Sequence, residues 1–427
     1  MMRKTGLIIL LISITTFLST GRLLAELSIT ATPRITADGY YDDNIYFASK
    51  DAISDFVTRV APGLDTSISA QTWDFDVDYE IQQVFYYHES ARNSLNHFLY
   101  LDGSIDLPDR WKLAVEDSFI HSKDPVQISR SIGAISYENL KYDYNEGVVR
   151  FHRSFPNKGT MEVGYRNMFF KNRSSLVADT VNHFPYLDFR YWLRPQYGIG
   201  IEGGVNVGLF DYSDDFSEPR GALTLFYRLG LDTTLNVRSA VSSMNFSGTT
   251  PDYDIYDFNA GVTHAFSETA GLKVGVGYYF QTRLHGSGLD NYDGISYQAR
   301  FYQETGRYSL KIEASKGYDE VYFDGEDLGF SSCYVIGLDL DYAITSSLEL
   351  AIESSYRDDT FPFAGGLDEK IKERTWDVSM EVYWHLNRWL DAGISLSHWD
   401  RDASETDYEY LDNRAMFTLR FARAFTW

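Results

Sequence analysis

Cysteine is almost missing from this 427-residue chain, whose one thiol is Cys333. A disulfide framework within the chain is thereby excluded, as is any metal site built on several sulfur ligands; the usage fits an oxidising compartment. Proline is also scarce, at 10 residues, and never gathers into a Pro/Ser-rich linker, which points to one continuous architectural unit. Basic residues number 38 against 61 acidic ones, for a formal charge of −23. Nucleic acid and anionic lipid both demand basic patches, so neither is expected as a partner. Beyond the N-terminal segment no long apolar run occurs, and mean hydropathy is −0.30. Two classes survive: a soluble exported protein, or a membrane barrel whose lipid-facing residues are diluted by lumen-facing ones.

What the chain does have begins at its first residues. Arg3 and Lys4 form a short positive region, Gly6 to Leu18 is apolar, and small residues then allow cleavage after Gly21 or after Ala25. The apolar core is too short to span about 30 Å of hydrocarbon as a helix. Residues 1–25 are therefore expected to be a signal peptide and 26–427 a single barrel domain. No cysteine stands at the cleavage region, so a lipidated anchor is not expected. Aromatic residues reach 16%, with 32 Tyr, 28 Phe and 8 Trp, as the interfacial girdles of a barrel would require.

Turn signals recur at Pro108-Asp109, Pro156 to Gly159, Pro195-Gln196, Gly230 to Asp232, Ser267 to Thr269, Glu304 to Gly306, Thr345 to Ser347 and Leu386 to Arg388. Their spacing accommodates two membrane strands, a tight turn and a longer loop. Between them hydrophobicity alternates. Leu272, Val274, Val276, Tyr278 and Phe280 oppose Lys273, Gly275, Gly277 and Tyr279; Leu348 to Arg357 and Trp376 to His385 behave alike. A soluble sandwich would show turns at shorter, even intervals. Trp73, Trp111, Tyr197, Trp376 and Trp389 are expected at the turn side of their strands. The pattern predicts an all-β transmembrane antiparallel up-and-down barrel of about 18 to 20 strands, with short periplasmic turns and longer extracellular loops. The first hairpin is expected over Pro33 to Ile45 and Ser54 to Ile68. The weakly patterned stretch from His121 to Asn139 is expected as a loop folded over or into the pore.

Phe417, Leu419, Phe421, Phe425 and Trp427 share one face of the last segment, broken only by Arg423, whose long side chain can snorkel at a membrane edge. A terminal aromatic preceded by alternating hydrophobics resembles the C-terminal assembly signal of outer-membrane proteins. That resemblance implies the barrel-assembly machinery as a partner, outer-membrane lipid as surroundings and the outer membrane as location.

Motifs that carry chemistry are few. Gly198 to Gly203 matches a dinucleotide fingerprint, but strand alternation continues after it where a helix would be needed. Asp74, Asp76, Asp78 and Glu80 suggest a calcium loop; the turn-forming glycine is absent, Tyr79 standing in its place, and along one strand the carboxylates are spaced too widely for one ion to bridge three. No GxSxG, HExxH or Cys pair exists. His88, His121 and His398 fall near loop ends. No enzyme, cofactor or metal is expected. Acidic, aromatic stretches at Asp211 to Asp215, Asp252 to Asp257, Asp290 to Asp293, Tyr318 to Asp327 and Asp400 to Asp412 admit two readings: sugar binding, or a soluble rim bridged to surface lipid by divalent cations.

On the strand registers the lumen wall carries Asp74, Asp76, Asp78, Glu80, Glu116, Glu162, Glu202, Glu313, Asp339, Asp341, Glu349, Glu353 and Glu381. Against them stand Lys112, Arg166, Arg228, Arg238, Lys273, Lys311 and Arg357. Such a wall implies a hydrated interior that prefers cations; a one-residue slip would invert any strand's contribution.

One stretch carries a family resemblance. Pro33-Arg34-Ile35 leads into Tyr40-Tyr41-Asp42-Asp43-Asn44-Ile45-Tyr46, and then Asp55 to Val60 into Ala61-Pro62-Gly63-Leu64. It resembles the opening of the β-barrel porin families found with exopolysaccharide gene clusters, of the Putative beta-barrel porin 2 kind. The resemblance implies a passive conduit for a secreted polysaccharide, with polysaccharide-export components as partners. A general diffusion porin with cation preference, or a structural or adhesive surface barrel, are the alternatives. No plug or energy-coupling segment is evident near the N-terminus, which argues against active import.

Overall fold

The computed structural model describes residues 27–123, 141–172, 179–211, 213–283, 291–321, 329–362, 371–404 and 409–427. The expected signal segment 1–25 lies outside them, as does 121–139 from residue 124 onward. The strands are β1 (Ser28–Asp42), β2 (Asp55–Ala70), β3 (Trp73–Tyr86), β4 (Ser94–Leu107), β5 (Trp111–Ser122), β6 (Tyr142–Phe155), β7 (Gly159–Asn172), β8 (Thr180–Trp192), β9 (Tyr197–Phe210) and β10 (Phe216–Arg228). They continue with β11 (Thr233–Phe246), β12 (Tyr253–Ser267), β13 (Ala270–Arg283), β14 (Tyr292–Glu304), β15 (Tyr308–Val321), β16 (Gly329–Ala343), β17 (Leu348–Phe361), β18 (Ile371–Asn387), β19 (Leu390–Ala403), β20 (Tyr410–Ala422) and a short β21 (Phe425–Thr426). Each long strand pairs antiparallel with its chain neighbours, and β20 pairs back onto β1 from Asp42↔Arg414 to Arg34↔Ala422. The sheet is a closed barrel of twenty long strands, at the upper end of the expected number. Closure leaves no edge, as a hydrocarbon environment requires.

Turns at one end run from two residues (71–72) to four (193–196), while connections at the other reach nineteen (123–141). The tight turns coincide with the predicted signals, to within a residue or two at Leu386 to Arg388, and one at 71–72 carried none. Asp109, Arg110 and Asn157 take positive φ in these turns, a conformation that Asn and Asp tolerate better than most residues.

The outer face is apolar and solvent-open in the isolated chain: Leu223, Val276, Ile295 and Ile394 are each at least half exposed. In a soluble protein that would be an anomaly; around a closed barrel it is the lipid-facing surface. On β3 to β8, toward the long-loop end, polar groups interrupt it and bond one another across strands: Tyr79 with His97, His121 with Asp143, Asn145 with Asp117 and Tyr165 with His183. Trp376 departs from the expectation made of it. β18 starts five residues earlier than the alternation suggested, so Trp376 lies opposite Tyr356 in the long-loop half, and Trp384 opposite Leu348 is the turn-side ring.

The first strand also begins earlier than expected, at Ser28, with Pro33 inside it. Arg423 donates its N–H to the Pro33 carbonyl, but Pro33 has no N–H to return. There the last strand is interrupted, between β20 and β21, and pairing resumes with Ala31↔Phe425 and a reciprocal Ile29–Trp427 pair.

Candidate functional site: the inner wall and an inserted hairpin

Ile35 and Tyr41 face outward, which turns Arg34, Asp38, Tyr40 and Asp42 inward, and the ladders carry that parity around the barrel. On this register all twenty wall residues named from the sequence share the inner face with Arg34. Several meet partners that the sequence left out. Arg34 bonds Asp65, Asp78 and Glu80 together; Glu116 pairs with Arg150; Glu162 accepts from Tyr186. Arg238 bonds Glu202, Lys311 lies between Glu313 and Asp339, and Arg357 holds Asp319 and Asp359. Asp341, Glu349, Glu353, Glu381, Lys112 and Lys273 complete the set.

Inward residues missed from the sequence include Arg34, Asp65, Asp102, Arg190, Glu218, Arg220 and Asp257. Arg220 and Arg190 have the parity of Arg228 and Trp192 and were findable by continuing the alternation. Pro219 and Pro185, on the same strands, both point outward, and pairing lapses beside each, at 218–219 between β10 and β11 and at 184–185 between β8 and β9. Asp102, from β4, brings its carboxylate within 4.8 Å of those of Asp74 and Asp76. The expectation that these carboxylates are too far apart for one ion considered a single strand; the cross-strand neighbour closes the gap. All three are open to solvent or half-buried.

Two of the fingerprint-like glycines, Gly198 and Gly200, serve close packing together with Gly204 and Gly208, while Gly203 turns outward. Gly198, Gly200, Gly204 and Gly208 line the inner face of β9, where rings of Trp192, Phe226, Phe184 and Phe216 lie against them; a Cβ at Gly208 would stand 2.3 Å from the Phe216 ring.

The interior is not empty. β15 leaves β14 after the pair Tyr297↔Lys316, and β16 joins β17 only from Ser332↔Thr360. Above these points Asp319–Val321 and Gly329–Ser331 pair only with each other, and Gly317 and Tyr318 only with Cys333 and Ser332. By alternation Tyr318 and Glu320 would face lipid, yet both are turned onto the inner wall. Tyr318 and Phe330 pack on Tyr279, and Phe330 joins Phe216, Met244, Tyr253 and Ile255 in a buried cluster. The Tyr253 hydroxyl donates to Glu320 at 2.9 Å, and Arg357 reaches Asp319 from β17 on the other side. The hairpin thus departs from the wall at Gly317 and its described stems enter the lumen. Between it and the wall of β6 to β11 lies a cavity of about 770 Å3 lined by Tyr144, Arg166, Phe184, Glu218, Arg220 and Tyr318 among others.

The acidic loops have a local role. Asp179, Asp215 and Asp252 each precede an inbound strand, and their carboxylates accept the N–H of Asn172, Phe210 and Phe246, the last residues of the outbound strands. They satisfy donors that the ladder leaves free at the rim. Asp214 bridges two loops, accepting the Thr250 N–H at 2.8 Å; that bond holds its carboxyl below the usual carboxylate range. A Cβ at Gly248 would collide with the same carboxylate. Because the folded-state value is depressed, the clasp is present at and above the ordinary carboxylate pKa of about 3.9 and is lost as pH falls through the lower folded value. Protection of the Thr250 amide against hydrogen exchange, relative to its intrinsic rate, should therefore be lost only below that point, and Asp214→Asn should flatten the dependence. Unchanged exchange in the variant would contradict the assignment.

Residues 223–423 match the family model described as Putative beta-barrel porin 2. The match is independent of Tyr40 to Leu64, on which the sequence resemblance rested. Among solved structures, Pseudomonas aeruginosa OpdO is 14% identical, with 93% of this chain and 98% of that chain covered and a TM-score of 0.44. The alcaligin outer membrane receptor FauA from Bordetella pertussis is 12% identical over 94% of this chain and 76% of that one, with a TM-score of 0.50. The outer membrane protein OpdK from Pseudomonas aeruginosa is 10% identical, with coverages of 94% and 100% and a TM-score of 0.41. At these identities the likeness concerns the fold alone. No curated protein sequence matches the chain. The chain is an outer-membrane β-barrel whose C-terminal part resembles that porin family.

Proposed function

We propose that this barrel is a passive outer-membrane conduit for saccharide, in its finest reading a secreted polysaccharide on its way out. The observation that carries the reading is the inner wall of β8 to β10, where Phe184, Tyr186, Trp192 and Phe226 stand beside guanidinium and carboxylate groups. The charged groups that these rings hold in place bond sugar hydroxyls, and the half-buried Tyr186 and Phe226 add apolar contact, so a hydrated polymer meets many weak contacts. The acidic side of the wall, around Asp65, Asp74, Asp76 and Asp102, favours a second reading as a diffusion porin preferring small cations. On this proposal residues 1–25 are removed on export, the strand ending at Trp427 is read by the barrel-assembly machinery, and export components deliver the polymer from the periplasmic side.

Deleting the gene is expected to lower the amount or chain length of surface polysaccharide, while the refolded barrel conducts in planar bilayers. Conductance with unaltered polysaccharide would leave the diffusion porin standing and overturn the export reading. Absence of conductance would overturn both and favour a structural or adhesive barrel.

A further inference from the structure

Most inward arginines of this acidic chain are held by carboxylates, as Arg34, Arg59, Arg150, Arg238, Arg300, Arg357, Arg401 and Arg414 all are. Five form no such pair among the described residues: Arg420 stands apart on β20, and the other four stand together. Arg166, Arg190, Arg220 and Arg228, on the inner face of β7, β8 and β10, form no ion pair among the described residues. Instead they share rings two by two. Arg228 and Arg190 lie 3.7 and 5.6 Å from the Trp192 ring, with Arg190 also 4.2 Å from Phe226; Arg220 and Arg166 lie 4.1 and 5.3 Å from Phe184. Trp192 and Phe184 are buried against Gly198 and Gly204, which fixes the rings.

Two guanidinium groups on one ring repel each other, and no ion pair among the described residues neutralises either pair. A guanidinium stacked on an aromatic face still turns its N–H edge to the lumen, the geometry that takes a carboxylate with two bonds. Eight residues of β10 separate Arg220 from Arg228, about 26 Å along an extended strand, so the clamps lie one above the other along the pore. Of the acids nearby, Glu202 is bonded by Arg238, while Asp188 faces Arg190 and Glu218 and Glu320 face Arg220 without forming an ion pair with it. The upper clamp also lines the cavity beside the inserted hairpin.

We infer that the two arginine–aromatic–arginine clamps, on Trp192 and on Phe184, are binding stations for a saccharide bearing carboxylates along its length. This rests on the conduit reading and names its cargo as anionic, although the wall as a whole is acidic and small cations remain its favoured ions.

The refolded full chain in planar bilayers tests it, with oligogalacturonide and uncharged malto-oligosaccharide of equal length as probes of the ion current. The anionic oligomer is expected to block at a concentration about tenfold lower than the neutral one, a difference that charge-assisted bidentate bonds can supply. The double variants Arg190→Gln/Arg228→Gln and Arg166→Gln/Arg220→Gln should each remove most of that difference, and lysine in the same places should restore only part of it. Arg300→Gln, paired with Glu313 on another strand, should leave it intact. Heat-modifiable migration in detergent checks that each variant is folded. Equal block by both oligomers, or undiminished block in both double variants, overturns the inference while conductance itself upholds the conduit. A wild-type barrel that never conducts overturns the conduit and the inference with it.

Discussion

Replacing residues 318–331 by a short Gly/Ser turn is expected to raise single-channel conductance about threefold, because the described stems of this hairpin occupy lumen against the inner wall of β10 to β13. The stems are held by apolar contacts of Tyr318 and Phe330 with Tyr279 and by polar bonds at their two faces, Tyr253 to Glu320 and Arg357 to Asp319. Their removal exposes Tyr279, now fully buried, and leaves the barrel ladders below Gly317 untouched. The double variant Tyr318→Ala/Phe330→Ala keeps the chain length and loosens the docking, so its conductance should fall between the two and fluctuate. A deletion variant that folds, as judged by heat-modifiable migration, and conducts like the wild type would show that the passage lies elsewhere.

The second large effect concerns closure. At the loop end of the β1–β20 seam, Arg414 bonds Asp42 at 2.8 Å and lies 3.6 Å from Asp412. Both carboxylates are buried, and neither Asp412 oxygen has a hydrogen-bond partner. Arg414→Met would strand two buried acids, and breaking a buried pair from one side costs about 3–5 kcal/mol. The unfolding midpoint in denaturant, read from the heat-modifiable band, should fall accordingly. Asp412→Asn removes the surplus charge and should be neutral or stabilising. Arg374→Met, which loses only exposed contacts to Asp358 and Asp402, should change stability by less than about 1 kcal/mol. A small loss at Arg414, comparable with that at Arg374, would contradict the seam assignment.

The same seam explains the segment that carries the family resemblance. Asp42 bonds Arg414, Asp43 accepts from Asn413, and Asn44 donates to the carbonyls of Leu411 and Ala48. Ile45 is buried with Val57, Val84 and Tyr86. Asp55 accepts the N–H groups of His88 and Glu89, and Gly63 leaves room for the Arg34 guanidinium. These residues close the first strand on the last and tie it to the second. They identify a way of building a barrel, and say nothing of its cargo; the cargo must be argued from the lumen.

The amino-acid sequence by itself determined the barrel, its hairpin plan and the inward face of most strands, because alternation with period two is a local property and the tight turns keep it in phase. The terminal strand was equally legible, down to the outward face shared by Phe417 and Trp427. Three things waited for the tertiary structure. Partners for inward charges come from strands distant in sequence: Arg34 meets Asp78, and Asp102 completes a cluster with Asp74 and Asp76. The arginine clamps need Arg166, Phe184 and Arg220 from three strands before their lack of carboxylate partners can be seen. The inserted hairpin reverses the facing of Tyr318 and Glu320 without altering their alternation. Strand period records only which residues share a face; the surface that face meets is decided by where the backbone goes after Gly317.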